Sequence, residues 1–224
     1  MNKLVVTADG SATFFNEAIG EHYHSKHGAW QESKHVFIEA GLSHVLQNTD
    51  KKEIALFEMG FGTGLNFLLS ANLIQNKPVK LHYTGIEAYP LSLTDIQSTA
   101  YHAYVTPEVW ERYLTNYEQA FVAPQLVLPN CSLAILHQQI QGYTCHEVYD
   151  LIYLDSFSVQ HQPELWSDEM IAKFAAMLKP GACLVTYAIT GKLKRALQAN
   201  HCQIEKLPGA PGKREMLRAI KKYT

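Results

Sequence analysis

Ile54-Ala55-Leu56-Phe57-Glu58-Met59 is a short apolar run that stops at three glycines on alternate positions, Gly60, Gly62 and Gly64. From Leu65 to Ile74 the composition becomes that of a helix. A buried strand, a turn of glycines and a helix, in that order, commit the chain to an α/β architecture. The alternation continues. Leu81–Glu87 reads as a strand, Leu91–Tyr104 and Pro107–Phe121 as helices, and Val127–Pro129 with Leu133–His137 as a strand pair around Asn130. Val148–Leu154 is a buried strand, and Pro163–Leu178 is a helix with its proline in the first turn, stopped by Lys179-Pro180-Gly181. Cys183–Ala188, Gln203–Leu207 and Glu215–Ile220 follow as strands, with a helix over Lys192–Ala199. This order predicts a mainly parallel sheet covered by helices on both faces.

Ahead of this core, Val5–Thr7 and Thr13–Phe15 flank Ala8-Asp9-Gly10-Ser11, a strong hairpin signal. Glu17–Leu46 has helical spacing with interruptions at Gly28 and Gly41 and reads as a lid or collar rather than core. We therefore expect residues 1–46 to form a small N-terminal β-hairpin and helical collar packed on a main domain over residues 47–224.

Of the 224 residues, 47% are hydrophobic and 18% charged, with net charge −2, which excludes a disordered chain. Cys131, Cys145, Cys183 and Cys202 form no C-x-x-C pair, so a zinc ribbon, a thioredoxin motif and a disulfide scaffold are excluded. The start of the chain lacks the apolar core of a signal peptide, and no apolar run is long enough to cross a bilayer. The expectation is a cytoplasmic protein with no membrane contact. Between Lys192 and Thr224 nine Lys and Arg face two Glu, a basic block suited to a polyanion or to a solvated face.

The glycine spacing is G-x-G-x-G, neither the dinucleotide fingerprint nor a P-loop. Glu58, just before it, would repel a pyrophosphate and suits a cation such as the amino-acid end of S-adenosylmethionine. Glu87, at the tip of the next strand, stands where a carboxylate accepts the hydroxyls of a ribose. Asp155 ends the buried strand Val148–Leu154 and is followed by Ser156 and Phe157. An acid followed by an aromatic suits an amine on a base: the carboxylate orients the amine, and the ring packs on the base. The simpler reading of each is a turn, a strand-end acid and a capping acid. His22, His24, His27 and His35 lack acidic partners and an H-E-x-x-H motif, so no metal is expected. Tyr23, His24, Ser25, Gly28, Glu32, Ser33 and His35 read instead as a polar collar over the site. Lys213 and Arg214 sit in a glycine–proline loop that suits phosphates or water equally.

Five stretches, in order, carry a resemblance. They are Tyr23-His24-Ser25 with Gly28-Ala29 and Glu32-Ser33-x-His35-Val36-Phe37; Phe61-Gly62-Thr63-Gly64-Leu65-Asn66-Phe67; Glu87-Ala88-Tyr89-Pro90-Leu91; Tyr153-Leu154-Asp155-Ser156-Phe157; and Gly212-Lys213-Arg214-Glu215-Met216. Together they resemble the tRNA-modifying methyltransferases of the MnmC/MnmD type. The resemblance implies a Rossmann-like, class I methyltransferase fold with a seven-stranded sheet. It also implies methyl transfer from S-adenosylmethionine to the exocyclic amine of 5-aminomethyl-2-thiouridine at the tRNA wobble position in the anticodon loop. By motif position, Glu58, Gly60, Gly62, Thr63, Gly64 and Asn66 would line the methionine end of the cofactor, and Glu87, Ala88 and Tyr89 its ribose side. Asp155 would take the substrate amine, with Tyr23, Ser25, Glu32, Ser156, Phe157, Lys213 and Arg214 around the substrate.

Two departures stand out. His137-Gln138 replaces the Gly-Asp with which relatives contact adenine, and Ser156 stands where many relatives have glycine. The chain is too short for the FAD-dependent oxidase domain of many relatives, so it resembles the stand-alone form, with an upstream enzyme supplying the aminomethyl uridine. Three alternatives keep parts of the pattern: an N-methyltransferase of a small amine or protein, an aminopropyltransferase resembling spermidine synthases, and a catalytically silent binding module.

Overall fold

The structure, a computed structural model, describes residues 2–146 and 148–223. β1 (Asn2–Val6) and β2 (Ala12–Asn16) form the expected antiparallel hairpin, and a two-residue β3 (Glu21–His22) adds to β2. No helix starts at Glu17. The Asn16 side-chain oxygen accepts from the backbone N–H of Ala18 and of Ile19, both at 3.0 Å, and Gly20 takes a φ of 79°, which turns the chain back into β3. Helix begins only at α1 (Ala29–Ser33), which runs through a π-helical segment, Lys34–Ser43, into α2 (His44–Gln47).

Gly28, the N-cap of α1, has no side chain to offer, and the hairpin loop does the capping. Ser11 Oγ accepts from Ala29 N and Trp30 N at 3.0 and 3.1 Å, and Asp9 Oδ2 accepts from Gln31 N at 3.0 Å. Gly41 does not interrupt the helix. A Cβ there would come within 3.0 Å of both Tyr153 and Val185, so glycine lets the π-helical segment lie directly on the sheet. Val36, Phe37 and Leu42 are consequently buried, and this stretch is core rather than collar.

β4 (Glu53–Met59), α3 (Leu65–Ile74) and β5 (Lys80–Glu87) follow as read. α4 (Leu93–Ser98) stops well before Tyr104, because Ala100 takes a left-handed φ of 55° and a 3₁₀ turn covers Tyr101–Tyr104. α5 (Pro107–Asn116) is followed by a separate 3₁₀ turn at Gln119–Phe121. β6 (Gln125–Leu128) and β7 (Cys131–His137) are the pair around Asn130, and β8 (Tyr149–Leu154) the buried strand. Pro163–Trp166 is a 3₁₀ turn, and α6 (Asp168–Met177) starts after Ser167, whose Oγ accepts from Met170 N. β9 (Leu178–Thr186) begins at once, so Lys179-Pro180-Gly181 lies within the strand rather than before it. α7 (Gly191–Ala199), β10 (Cys202–Pro208) and β11 (Glu215–Lys221) complete the chain.

The main sheet runs β10-β11-β9-β8-β4-β5-β7-β6. β9, β8, β4, β5 and β7 are parallel; β11 and β6 run antiparallel to them, and β10, antiparallel to β11, runs in their direction at the edge. Among the described residues it has eight strands, not the seven that the resemblance implies, the additional one being the edge strand β6. From β4 the order proceeds to β5 on one side and to β8 on the other, which opens a crevice at the carboxyl ends of β4 and β8.

The Asp9 contacts tie the hairpin to α1. Asp9→Ala strands the Gln31 N–H and should lower stability by about 1 kcal/mol, as read by urea unfolding. An unchanged midpoint would show that α1 does not need this cap.

Candidate active site

At the crevice, Gly60 N and Phe61 N both donate to Ile86 O, at 3.2 and 3.1 Å, so the turn after β4 is pinned to the end of β5. Gly60 has a φ of 86°, and a Cβ there would land on the carbonyl oxygen of Asp155. Only glycine fits. Glu87 closes the loop from the other side: Oε2 accepts from Gly62 N and Oε1 from Tyr89 N, each at 2.9 Å. Each oxygen keeps a further lone pair for a ligand.

Asn66, on the first turn of α3, joins two acids. Its Nδ2 donates to Glu58 Oε1 and to Asp155 Oδ2, both at 2.7 Å, while Tyr83 donates to Glu58 Oε2 at 2.7 Å. Burial raises the Asp155 carboxyl from its ordinary 3.8 to about 8, with repulsion from Glu32 adding to the shift and the Asn66 bond and Lys213 opposing it. Burial and the neighbouring Asp155 also push Glu58 well above the usual carboxylate range.

Two cavities meet here. The first, of about 250 Å³, is lined by Gly60, Gly62, Glu87, Ala88, Tyr89, Gln138 and Asp155 among others, with Asn16 and Ile19 reaching in from the N-terminal sheet. The second, of about 290 Å³, is lined by Ser25, Glu32, Tyr187 and Lys213. Tyr23, His24, Ser156 and Phe157 line both. Tyr23 and Phe157 meet edge to face with centroids 5.3 Å apart. Glu32 accepts from Ser25 N at 3.0 Å and from Lys213 Nζ at 2.8 Å, and the ammonium sits 3.6 Å from the centre of the Tyr187 ring.

Most of the expected site residues therefore converge, but some do not reach a cavity. Glu58, Thr63, Gly64 and Asn66 are buried beneath the first cavity, where Thr63 receives the hydroxyls of Tyr101 and Tyr113. His137 is exposed, its ring near Phe121, and Arg214 is exposed outside both cavities. Tyr187 is not among the residues that the sequence points to, and His24 enters there only as part of the collar. Tyr187's position just beyond a strand's carboxyl end was the available signal for it. Among the described residues no group of three His, Cys, Asp or Glu is placed to hold a metal ion, and no helix is long and apolar enough to cross a membrane.

The first cavity fits S-adenosylmethionine by charge and by shape. Asp155 and Glu87 offer acidic groups to a cation, and Gly60 and Gly62 put bare backbone into the cavity wall. Gly60→Ala should abolish binding of S-adenosylmethionine in calorimetry, because the methyl and the Asp155 carbonyl cannot share one place. Asp155 also sets a pH dependence. The folded state keeps its proton up to about pH 8, whereas the unfolded chain releases it near 3.8, so this group's share of stability is intact below pH 4 and is lost as pH rises through 8. Asp155→Asn should raise the melting temperature at pH 8.5 and leave it little changed at pH 4. Equal effects at both pH values would contradict the raised pKa.

A family model described as S-adenosyl-L-methionine-dependent methyltransferase matches residues 101–222. The tRNA 5-methylaminomethyl-2-thiouridine biosynthesis bifunctional protein MnmC of Magnetococcus marinus is 32% identical over 216 residues, covering 89% of this chain and 31% of that protein. The protein of the same name from Aromatoleum aromaticum is 28% identical over 226 residues, covering 96% of this chain and 35% of its own. The chain thus spans about a third of the length of these curated relatives. Among solved structures, MNMC2 from Aquifex aeolicus superposes with a TM-score of 0.77 at 20% identity, over 98% of this chain and 70% of that one, and shows the same fold. With its class I fold, its glycine-lined cavity and this match over more than half its length, the chain belongs to the S-adenosyl-L-methionine-dependent methyltransferase family.

Proposed function

We propose that this enzyme methylates the exocyclic amine of 5-aminomethyl-2-thiouridine at the wobble position of tRNA, giving 5-methylaminomethyl-2-thiouridine. The observation that carries the reading is Asp155, a carboxylate of raised proton affinity in the first cavity, next to the residues shared with the second. The names of the curated relatives support this substrate, and so does the order of motifs from Tyr23 to Met216.

S-adenosylmethionine supplies a methyl group already activated on a sulfonium. The protein's own work is to hold the amine in line with that methyl in a site shielded from water. Glu87 would accept the ribose hydroxyls, and Gln138 replaces the acid that contacts adenine in relatives. Asp155 hydrogen-bonds the amine. In its ionised form, which the positive charge of bound S-adenosylmethionine would favour, Asp155 would accept the proton that the amine nitrogen sheds on methylation. Asn66 and Glu58 act through Asp155: Asn66 fixes its orientation, and the buried Glu58 keeps its environment acidic. The ring of Phe157 would pack on the base, with Tyr23 behind it.

Lys213, held by Glu32 and Tyr187, contributes to the wall of the second cavity, while exposed Arg214 suits the phosphates of a tRNA. A tRNA substrate assigns the reaction to the cytoplasm and requires an upstream enzyme that installs the aminomethyl group.

The test is transfer of labelled methyl to tRNA from cells lacking this protein, followed by nucleoside analysis. Label is expected in 5-methylaminomethyl-2-thiouridine. Label in small amines or proteins but not in tRNA would refute the substrate. Asp155→Ala should lower kcat by at least about a hundredfold while S-adenosylmethionine affinity changes little. Parallel loss of both would move Asp155 out of the substrate role.

A further inference from the structure

Thr13, on β2, is fully buried. Its Oγ1 accepts the backbone N–H of His24 at 3.1 Å and lies 3.1 Å from Nδ1 of the same residue. A buried hydroxyl needs an acceptor for its own proton, and among the described residues Nδ1 is the one in reach. Thr13 therefore donates, and Nδ1 accepts. Burial lowers the pKa of the ring to about 4 against the pull of Glu32 and Asp9, so His24 is neutral at physiological pH. A neutral imidazole that accepts at Nδ1 carries its hydrogen on Nε2. This donor is fixed by β2, has no partner among the described residues, and belongs to a ring that lines both cavities.

Ser156 completes the pattern. It follows Asp155 directly, lines the same two cavities, and its Oγ is buried without a partner. A hydroxyl turns about one bond to donate or to accept, so it adapts to whichever group a ligand presents.

We infer that His24 selects the base that carries the amine and that Ser156 pairs beside it: His24 Nε2–H donates to the ring carbonyl beside the aminomethyl carbon, and Ser156 Oγ accepts the adjacent ring N–H. The inference rests on the tRNA reading and deepens it by naming the residue that chooses the base and the one that pairs beside it. With the amine on Asp155, a uracil-type ring presents its C4 carbonyl next and then its N3–H. That edge is an acceptor followed by a donor, the complement of an N–H and a hydroxyl oxygen. A cytosine-type ring reverses both groups, and the fixed His24 donor would face an amino group.

The experiment measures kcat/KM for tRNA methylation, S-adenosylmethionine affinity by calorimetry and melting temperature for His24→Phe, His24→Gln and Ser156→Ala. His24→Phe and Ser156→Ala should each lower kcat/KM about tenfold to a hundredfold with cofactor affinity unchanged. His24→Gln, which restores an N–H donor, should recover part of the loss. Ser156→Ala removes only an unpartnered oxygen, so it reports on the inference even if His24→Phe fails to fold. Wild-type rates in the variants, or loss of cofactor affinity in step with kcat/KM, would overturn the inference and leave the tRNA reading intact. A wild-type protein that never labels tRNA would overturn both.

Discussion

Backbone touching backbone at Gly60 and Asp155 sets the geometry of everything at this end of the sheet. Asp155 N donates to Met59 O at 3.0 Å, and the next residue on β4's side leaves no room for even a methyl against the Asp155 carbonyl. Because Gly60 and Phe61 also bond to Ile86, the ends of β8, β4 and β5 are locked as one unit. The loop between them can then present bare peptide to a ligand, and the side chains that follow each strand end are carried to one place.

That closeness puts two acids side by side. Glu58 and Asp155 share the two N–H groups of one amide, and in such an interior each disfavours the charge of the other. The arrangement destabilises the empty protein above neutral pH, a common feature of sites shaped for a reaction rather than for stability. A cationic ligand beside these acids relieves the repulsion, so the same charges that weaken the fold favour binding. Tyr83, wholly buried and bonded to Glu58, keeps the inner carboxylate satisfied.

The N-terminal hairpin takes part in the site instead of merely covering it. Its Asp9 and Ser11 cap α1, which brings Glu32 to Lys213, and its Thr13 fixes the ring of His24. Short polar side chains on one small sheet thus orient groups of the second cavity through contacts distant in sequence.

The alternation of strands and helices, the glycine turn, and the acids at strand ends, Glu87 and Asp155, were all legible in the chain, because each depends on local spacing and on the rule that α/β sheets bind ligands at their carboxyl ends. The pair around Asn130 likewise announced β6, and with it the eighth strand. What the chain could not reveal lay partly in competing local bonds and partly in distant partners. Glu17 to Gly28 has helical spacing, yet Asn16 and Gly20 turn it aside, and Gly41, a breaker by propensity, serves instead as a contact surface for Tyr153 and Val185. The place of Glu58 before the glycines suggests a cofactor ligand, but its carboxylate turns beneath the loop to Asn66 and Tyr83. The sequence by itself determined the architecture and the place of the site, since periodicity and glycine spacing are local properties. Only the tertiary structure decided which acid faces the cavity, which histidine nitrogen carries its hydrogen and which lysine is already paired, since burial and hydrogen-bond partners come from segments far apart in the chain.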